Sequence, residues 1–296
     1  MRKLLYIFLA VLLTVTACTK KGVPDPDFTV ISDSASYTLG DTTWFHFTGN
    51  PYNLTFYSGE AGHEYQFRNR TNAPGTPQLQ FTSYRQSGNA ADTLQLLISS
   101  DFSALYDSAD IRSATWTDIT SRAKLSTGSN NTASGIVDLS DFVKDSLPVY
   151  LAFRYVGTTH TGVQTMWTIA ALAINNILSD SSNTFSVGTI ADGAWASINM
   201  GNPAVKWTVS ATTLVVKGAA ANSPVTEDWV ISRALVLNRT LPDVGVSLKN
   251  ISANQVVSYP YIYKAAGTYT ATFVGTNTTV YGSKSNVKSL TTQINP

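Results

Sequence analysis

One cysteine, three histidines, three glutamates and sixteen aspartates are the thiol, imidazole and carboxyl groups this chain offers for nucleophilic, acid–base and metal chemistry. The cysteine, Cys18, closes the run Val15-Thr16-Ala17-Cys18 behind an apolar stretch, and is itself the first reactive group to explain. Glu60, His63 and Glu64 are the one ionisable cluster that contains a histidine. Three such side chains could hold a metal, but they lie on a short link, where a structural hydrogen-bonding role is the stronger reading. The other histidines, His46 and His160, stand alone. A glycosidase needs two carboxylates placed across a sugar, and no spacing among the aspartates singles out a pair. The chain holds no Gly-x-Ser-x-Gly elbow and no His-Glu-x-x-His pair. The expectation is a protein that is not an enzyme, with no cofactor and no metal.

Aromatic side chains are the other chemistry on offer, because sugars stack on exposed rings. Trp44, Trp116, Trp167, Trp207 and Trp229 lie in or beside apolar strand patterns and read as core. Trp195 sits in the turn-like Asp192-Gly193-Ala194-Trp195, and Tyr84 and Tyr106 are also loop-like. These three are the candidate glycan platform. Five tripeptides, starting at Asp33, Asp41, Asp92, Asp107 and Asp145, match the Asp-Ser/Thr pattern at which Bacteroidetes attach O-glycans. Their acceptors are Ser34, Thr42, Thr93, Ser108 and Ser146. About one or two are expected from this composition. The competing reading is that Asp-Ser and Asp-Thr simply make turns.

Cys18 gains its meaning from what precedes it. Arg2 and Lys3 form a positive start, and Leu4 through Val15 is apolar but for Tyr6 and Thr14. That is too short for a span of about 20 residues and has the form of a secretory signal peptide. Its end resembles a bacterial lipobox, which implies cleavage after residue 17 and lipidation of Cys18. Several acyl chains on one residue anchor a protein stably, where one chain holds only marginally. Residues 18–27, with two prolines, read as a tether. The expected location is the outer membrane, with the side it faces left open, since Lys20 and Lys21 stand where a surface-export signal would be acidic.

The elements that must position these groups are strands. The charged fraction of 13% is about half the usual ~25%, and Thr, Ser, Asn, Tyr and Val favour strands and turns. With 20 basic against 19 acidic residues there is no basic footprint for nucleic acid. Phe45 and Phe47 alternate with Trp44 and His46, and Tyr269, Ala271 and Phe273 alternate with Thr270 and Thr272. Trp167 to Leu178 is apolar enough for a helix, but its β-branched residues predict a strand.

The segment from Tyr263 to Asn277, with its Gly267-Thr268-Tyr269 turn, resembles the last hairpin of PKD-type immunoglobulin-like domains, and Gly40-Asp41 before Trp44 resembles the first half of one. Residues 28–64 and 241–296 together approach the ~100 residues of such a sandwich, and neither part could bury a core alone. The expectation is therefore an all-β chain: an immunoglobulin/PKD-like β-sandwich interrupted by an inserted β jelly roll at 65–240. The insert resembles galactose-binding-like jelly rolls. Phe56 to Tyr65, Ala114 to Thr120 and Thr226 to Ser232 resemble the Bacteroidetes lipoprotein family called domain of unknown function 5017. Those motifs carry no assigned chemistry, but the resemblance implies a place near glycan-uptake systems, and with the scarcity of catalytic groups the expectation is a non-catalytic envelope lipoprotein that binds glycan. The alternative is a structural or adhesive surface protein with protein partners, of unknown oligomeric state.

Overall fold

The computed structural model describes residues 22–88, 91–128, 131–144, 147–179 and 183–296. The signal peptide, Cys18 and Ser146 lie outside them. The chain is nearly all β and divides into two compact units: residues up to Asn69 with Pro242–Pro296, and Arg70–Leu241. The boundaries expected from sequence, 64/65 and 240/241, fall five residues and one residue earlier. No helix among the described residues is long and apolar enough to cross a membrane.

The smaller unit takes β1 (Phe28–Ser32), β2 (Ser36–Thr38), β3 (Thr43–Gly49) and β4 (Asn53–Tyr57) from its first segment. Its second segment supplies β17 (Val246–Lys249), β18 (Ser258–Tyr261), β19 (Gly267–Thr279) and β20 (Gly282–Asn295). One sheet has the order β1-β3-β18 and the other β17-β4-β19-β20-β2. All pairs are antiparallel except β2 with β20. Phe28, Val30, Phe45 and Phe47 of the first sheet meet Leu54, Phe56, Ala271 and Phe273 of the second in one core. Phe273 is its hub, with ring centroids 5.0 Å from Phe45, 5.1 Å from Phe47 and 5.0 Å from Phe56. The first segment supplies six of these eight residues and the second supplies Ala271 and the central Phe273, so the two segments share one core. Trp44 departs from its expected core position. It is 40% exposed, because the alternation that turns Phe45 and Phe47 inward sends Trp44 and His46 outward.

The larger unit holds β5 (Gly75–Gln86), β6 (Thr93–Ser99), a short helix α1 (Ser108–Ser113), β7 (Thr117–Asp118), β8 (Thr132–Ala133), β9 (Val137–Asp138), β10 (Tyr150–Gly157) and β11 (Met166–Leu178). It continues with β12 (Thr184–Thr189), β13 (Ala196–Asn199), β14 (Trp207–Val209), β15 (Thr213–Val216) and β16 (Thr226–Ile231). A five-stranded sheet β13-β16-β10-β6-β7 and a seven-stranded sheet built on β14-β15-β11-β5-β8, with β9 and β12, share one core. Leu96, Ile98, Leu151, Phe153 and Val230 face Leu79, Phe81, Trp167, Ile169 and Leu214 across it. The segment from Phe102 to Trp116, including α1, covers the other face of the five-stranded sheet over Leu97, Tyr150, Trp229 and Ile231. β11 is the strand its composition predicts, with one irregularity. Pairing with β5 shifts register between Ala170 and Ala173, where Ala171 takes a φ of 49°. The bulge moves the inward face from Trp167 and Ile169 to Leu172, Ile174 and Leu178.

Candidate functional site

The three residues expected to form a glycan platform do not come together. Trp195 is a core residue, 7% exposed, with its ring 6.2 Å from that of Phe153. The turn before it is real, but it aims inward. Asp192 accepts hydrogen bonds from the Thr189 amide (2.5 Å) and hydroxyl (2.7 Å), and the Trp195 Nε1–H donates to the Thr189 carbonyl (3.3 Å). Gly193 has to be glycine, since a Cβ there would stand 2.3 Å from that Nε1. Trp195 is therefore corrected from platform to core. Tyr106 is half-buried, its ring 5.3 Å from Phe102 and its hydroxyl donating to the Ser232 carbonyl (3.1 Å). Tyr84 is in β5 rather than in a loop, half-buried on the outward face. Tyr106 and Tyr84 belong to the outer sides of two different sheets, so no common surface joins them.

The O-glycosylation motifs also separate. Asp33, Ser34 and Ala35 are all exposed. Thr93 is exposed, but its neighbours Asp92 and Leu94 are buried, so an enzyme reading all three side chains would not reach them in the folded chain. Thr42 and Ser108 are half-buried. Asp41 accepts from the Thr38 amide and Asp107 caps α1 through the Asp110 amide, which is the turn role weighed against modification.

Glu60, His63 and Glu64 point to separate partners. The Glu60 carboxylate takes hydrogen bonds from the Tyr261 hydroxyl and from the Lys264 amide (3.0 Å). Burial, with Glu60 beside it, pushes the Tyr261 hydroxyl up to about 12. The His63 Nδ1–H donates to the Val244 carbonyl (2.7 Å), and the Glu64 amide donates to Asp243 (2.9 Å). These bonds tie the first segment of the smaller unit to its second. Among the described residues, no three His, Cys, Asp or Glu side chains gather as a metal site.

What this link does build is a groove of about 260 Å³, lined by Gly59, Glu64, Tyr65, Gln66, Thr268, Thr270, Thr272 and Ser289. Its floor is a row of hydroxyls on one face of β19, exposed at Thr268 and Thr270 and buried at Thr272. Thr272 shares a hydrogen bond with Ser289 across the β19–β20 pair (2.9 Å). The wall is the single turn Tyr65–Phe67. Tyr65 is held by the Arg68 guanidinium, 4.0 Å over its ring, and by Tyr57 at 5.3 Å edge-on. Gly59, at a φ of 84°, lets the link lie on β19, where a Cβ would come within 2.7 Å of the Thr270 amide nitrogen. An aromatic ring, hydroxyls, an amide and one carboxylate on an open groove suit a polyhydroxylated ligand.

Comparison with known families decides the relationship. The family model described as Domain of unknown function (DUF5017) matches residues 17–195. The chain belongs to the DUF5017 family. No curated protein matches it. The DUF5017 match contains two of the three motifs that carried the resemblance, Phe56 to Tyr65 and Ala114 to Thr120, while Thr226 to Ser232 lies beyond it. It includes the wall of the groove and stops short of the β19–β20 floor.

Sequence reasoning missed the best-made ionisable cluster of this DUF5017 chain. Asp92 is buried at the start of β6 and accepts from the amides and hydroxyls of Thr158 and Thr165 and from His160 Nε2 (3.0 Å). His160 Nδ1 in turn accepts from the Gly162 amide (3.2 Å). Both ring nitrogens are thus committed, and the imidazole has no lone pair left for base catalysis. The pair fastens the loop between β10 and β11. Its only sequence trace was Asp92-Thr93-Leu94, which reads as a turn or a modification motif.

Proposed function

We propose that this protein is a non-catalytic lipoprotein of the bacterial cell envelope, anchored in the outer membrane through Cys18, and that it binds glycan in the groove beside Tyr65. The observation that carries the glycan reading is that groove's lining of hydroxyls, Gln66, Glu64 and a clamped tyrosine. Glu64 is the one carboxylate among the lining residues, and hydrolysis of a glycosidic bond calls for two. The anchor rests on the run from Arg2 to Cys18. In this reading the larger unit is a galactose-binding-like jelly roll and the smaller one a PKD-like sandwich, as their paired, mainly antiparallel sheets support.

Two measurements test it. Cys18→Ala is expected to move the protein from the membrane fraction to the soluble fraction and abolish palmitate labelling. A variant that stays in membranes and still labels would overturn the anchor. With that soluble form on a glycan array, Tyr65→Ala combined with Glu64→Gln is expected to weaken retention at least tenfold, which corresponds to about 1.4 kcal/mol. Unchanged retention would remove the groove as the site. Glycan hydrolysis that disappears in Glu64→Gln would replace binding by catalysis.

A further inference from the structure

The β19–β20 hairpin runs past the strand that supports it. β4 pairs with β19 only from Thr272 to Thr276, whereas the two hairpin strands stay paired out to Thr279 and Gly282. At the tip stand Val280, 94% exposed, and Tyr281, 53% exposed. Tight hairpin turns usually carry Asn, Asp or Gly, so turn chemistry does not account for this apolar pair.

The N-terminal segment lies along the same hairpin and heads for its tip. The Asn277 amide donates to the Pro24 carbonyl (3.0 Å), and the Lys284 ammonium meets Asp25 at 2.6 Å. Two residues earlier in the chain, Val23 is the neighbour nearest to the turn glycine Gly282, 3.8 Å from where a Cβ would stand. Cys18 is five residues before Val23. A fully extended chain covers at most ~3.6 Å per residue, so Cys18 lies within about 18 Å of that point.

We propose that the tip formed by Val280 and Tyr281 is a membrane-contacting wedge that seats the smaller unit on the bilayer holding its own anchor. The inference rests on the reading of Cys18 as the lipidated residue. Acyl chains on Cys18 place that residue at the headgroup level, and the short reach from it brings the tip to the same level. Tyrosine prefers this interface, and valine gains by leaving water. Lys284 and exposed Lys288 on β20, with Lys20 and Lys21 in the tether sequence, outnumber Asp25 and favour anionic headgroups.

The test exploits the single native cysteine, since acylation leaves Val280→Cys as the only free thiol. The full-length acylated protein, labelled there with an environment-sensitive dye, is reconstituted in vesicles of phosphatidylethanolamine and phosphatidylglycerol with nitroxide-bearing headgroups. A second sample carries the dye at Ala266→Cys, beyond the far end of β19, a strand whose twelve residue steps span roughly 41 Å at 3.4 Å each. The expected result is a blue shift and at least twofold quenching at position 280 and neither at 266, with Tyr281→Asp relaxing the quenching at 280. Equal, solvent-like emission at both positions in protein that floats with the vesicles would overturn the wedge alone. Shielding at 280 that is already complete without vesicles would assign the tip to a second copy of the chain and also overturn it. Failure to float, with no acyl mass on Cys18, would sink the anchor and the wedge together.

Discussion

Replacing Asp92 with alanine is expected to destabilise the unit Arg70–Leu241 by about 3–5 kcal/mol, as loss of one member of a buried charged network does. The carboxylate receives five hydrogen bonds, two of them from the backbone amides of Thr158 and Thr165 at 2.7 Å. Truncation takes the Asp92 acceptor away from those donors. Asp92→Asn should be little better, since its amide would turn donor hydrogens toward donors on one side. Burial by itself pushes the Asp92 carboxyl up, but the bonds from Thr158, His160 and Thr165 outweigh it and hold the pKa at about 2, below the ordinary 3.8. A depressed acid contributes its stability in full above the unfolded value. The contribution, about 2 kcal/mol, is therefore lost as pH falls from about 4 through about 2. Five of the six tryptophans lie in this unit, so urea unfolding followed by tryptophan emission reports on it. A loss below about 1 kcal/mol at pH 7 would show that the β10–β11 loop does not depend on Asp92.

Strand identity was legible because alternation survives wherever one face is buried. Phe45 and Phe47 against Trp44 and His46, and Tyr269 to Phe273, gave the inward faces of β3 and β19 and hence the pairing of the two chain ends in one unit. Two kinds of information were not legible. Direction was one: the turn before Trp195 is visible in Asp192-Gly193, but whether the ring leaves or enters the core is decided by the Thr189 hydrogen bonds and the space beside Gly193. Trp44 fails in the opposite sense, since its neighbours' alternation was right and its own size misled. Convergence was the other. Thr268, Thr270 and Thr272 are more than 200 positions from Tyr65, and nothing in either stretch announces a shared groove. The bulge at Ala171 is equally silent, because an alanine with positive φ looks like any other alanine in an apolar run.

Asp228→Asn is expected to stabilise the same unit by about 3 kcal/mol at pH 8 and to leave it nearly unchanged at pH 4. Asp228 is fully buried on the core side of β16, beside Val230. Its Oδ1 accepts from the Asn199 side-chain amide (2.6 Å), while its Oδ2 has no hydrogen-bond partner among the described residues. Directly across the β10–β16 pair stands Tyr155, whose buried hydroxyl likewise finds none among them. Burial pushes the Asp228 carboxyl up, the Asn199 bond draws it down and the neighbouring Glu227 pushes it up again, leaving it at about 6 against the ordinary 3.8. A raised acid behaves oppositely to Asp92. Its stabilising contribution is complete below about 4 and is lost as pH rises through about 6, because the fold must then carry an ionised group that it does not pair. Asparagine is nearly isosteric, keeps an oxygen for Asn199 and cannot ionise. Valine would not serve, since it strands the Asn199 donor. The two aspartates together place the stability maximum of the wild-type unit near pH 4, and the substitution should remove the decline that follows between about pH 4 and 6. Urea unfolding of both proteins at pH 4, 6 and 8 measures this directly. A variant no more stable than wild type at pH 8 would mean that Asp228 is ionised there without penalty, with a partner for Oδ2 supplied by some movement of the β10–β16 strands.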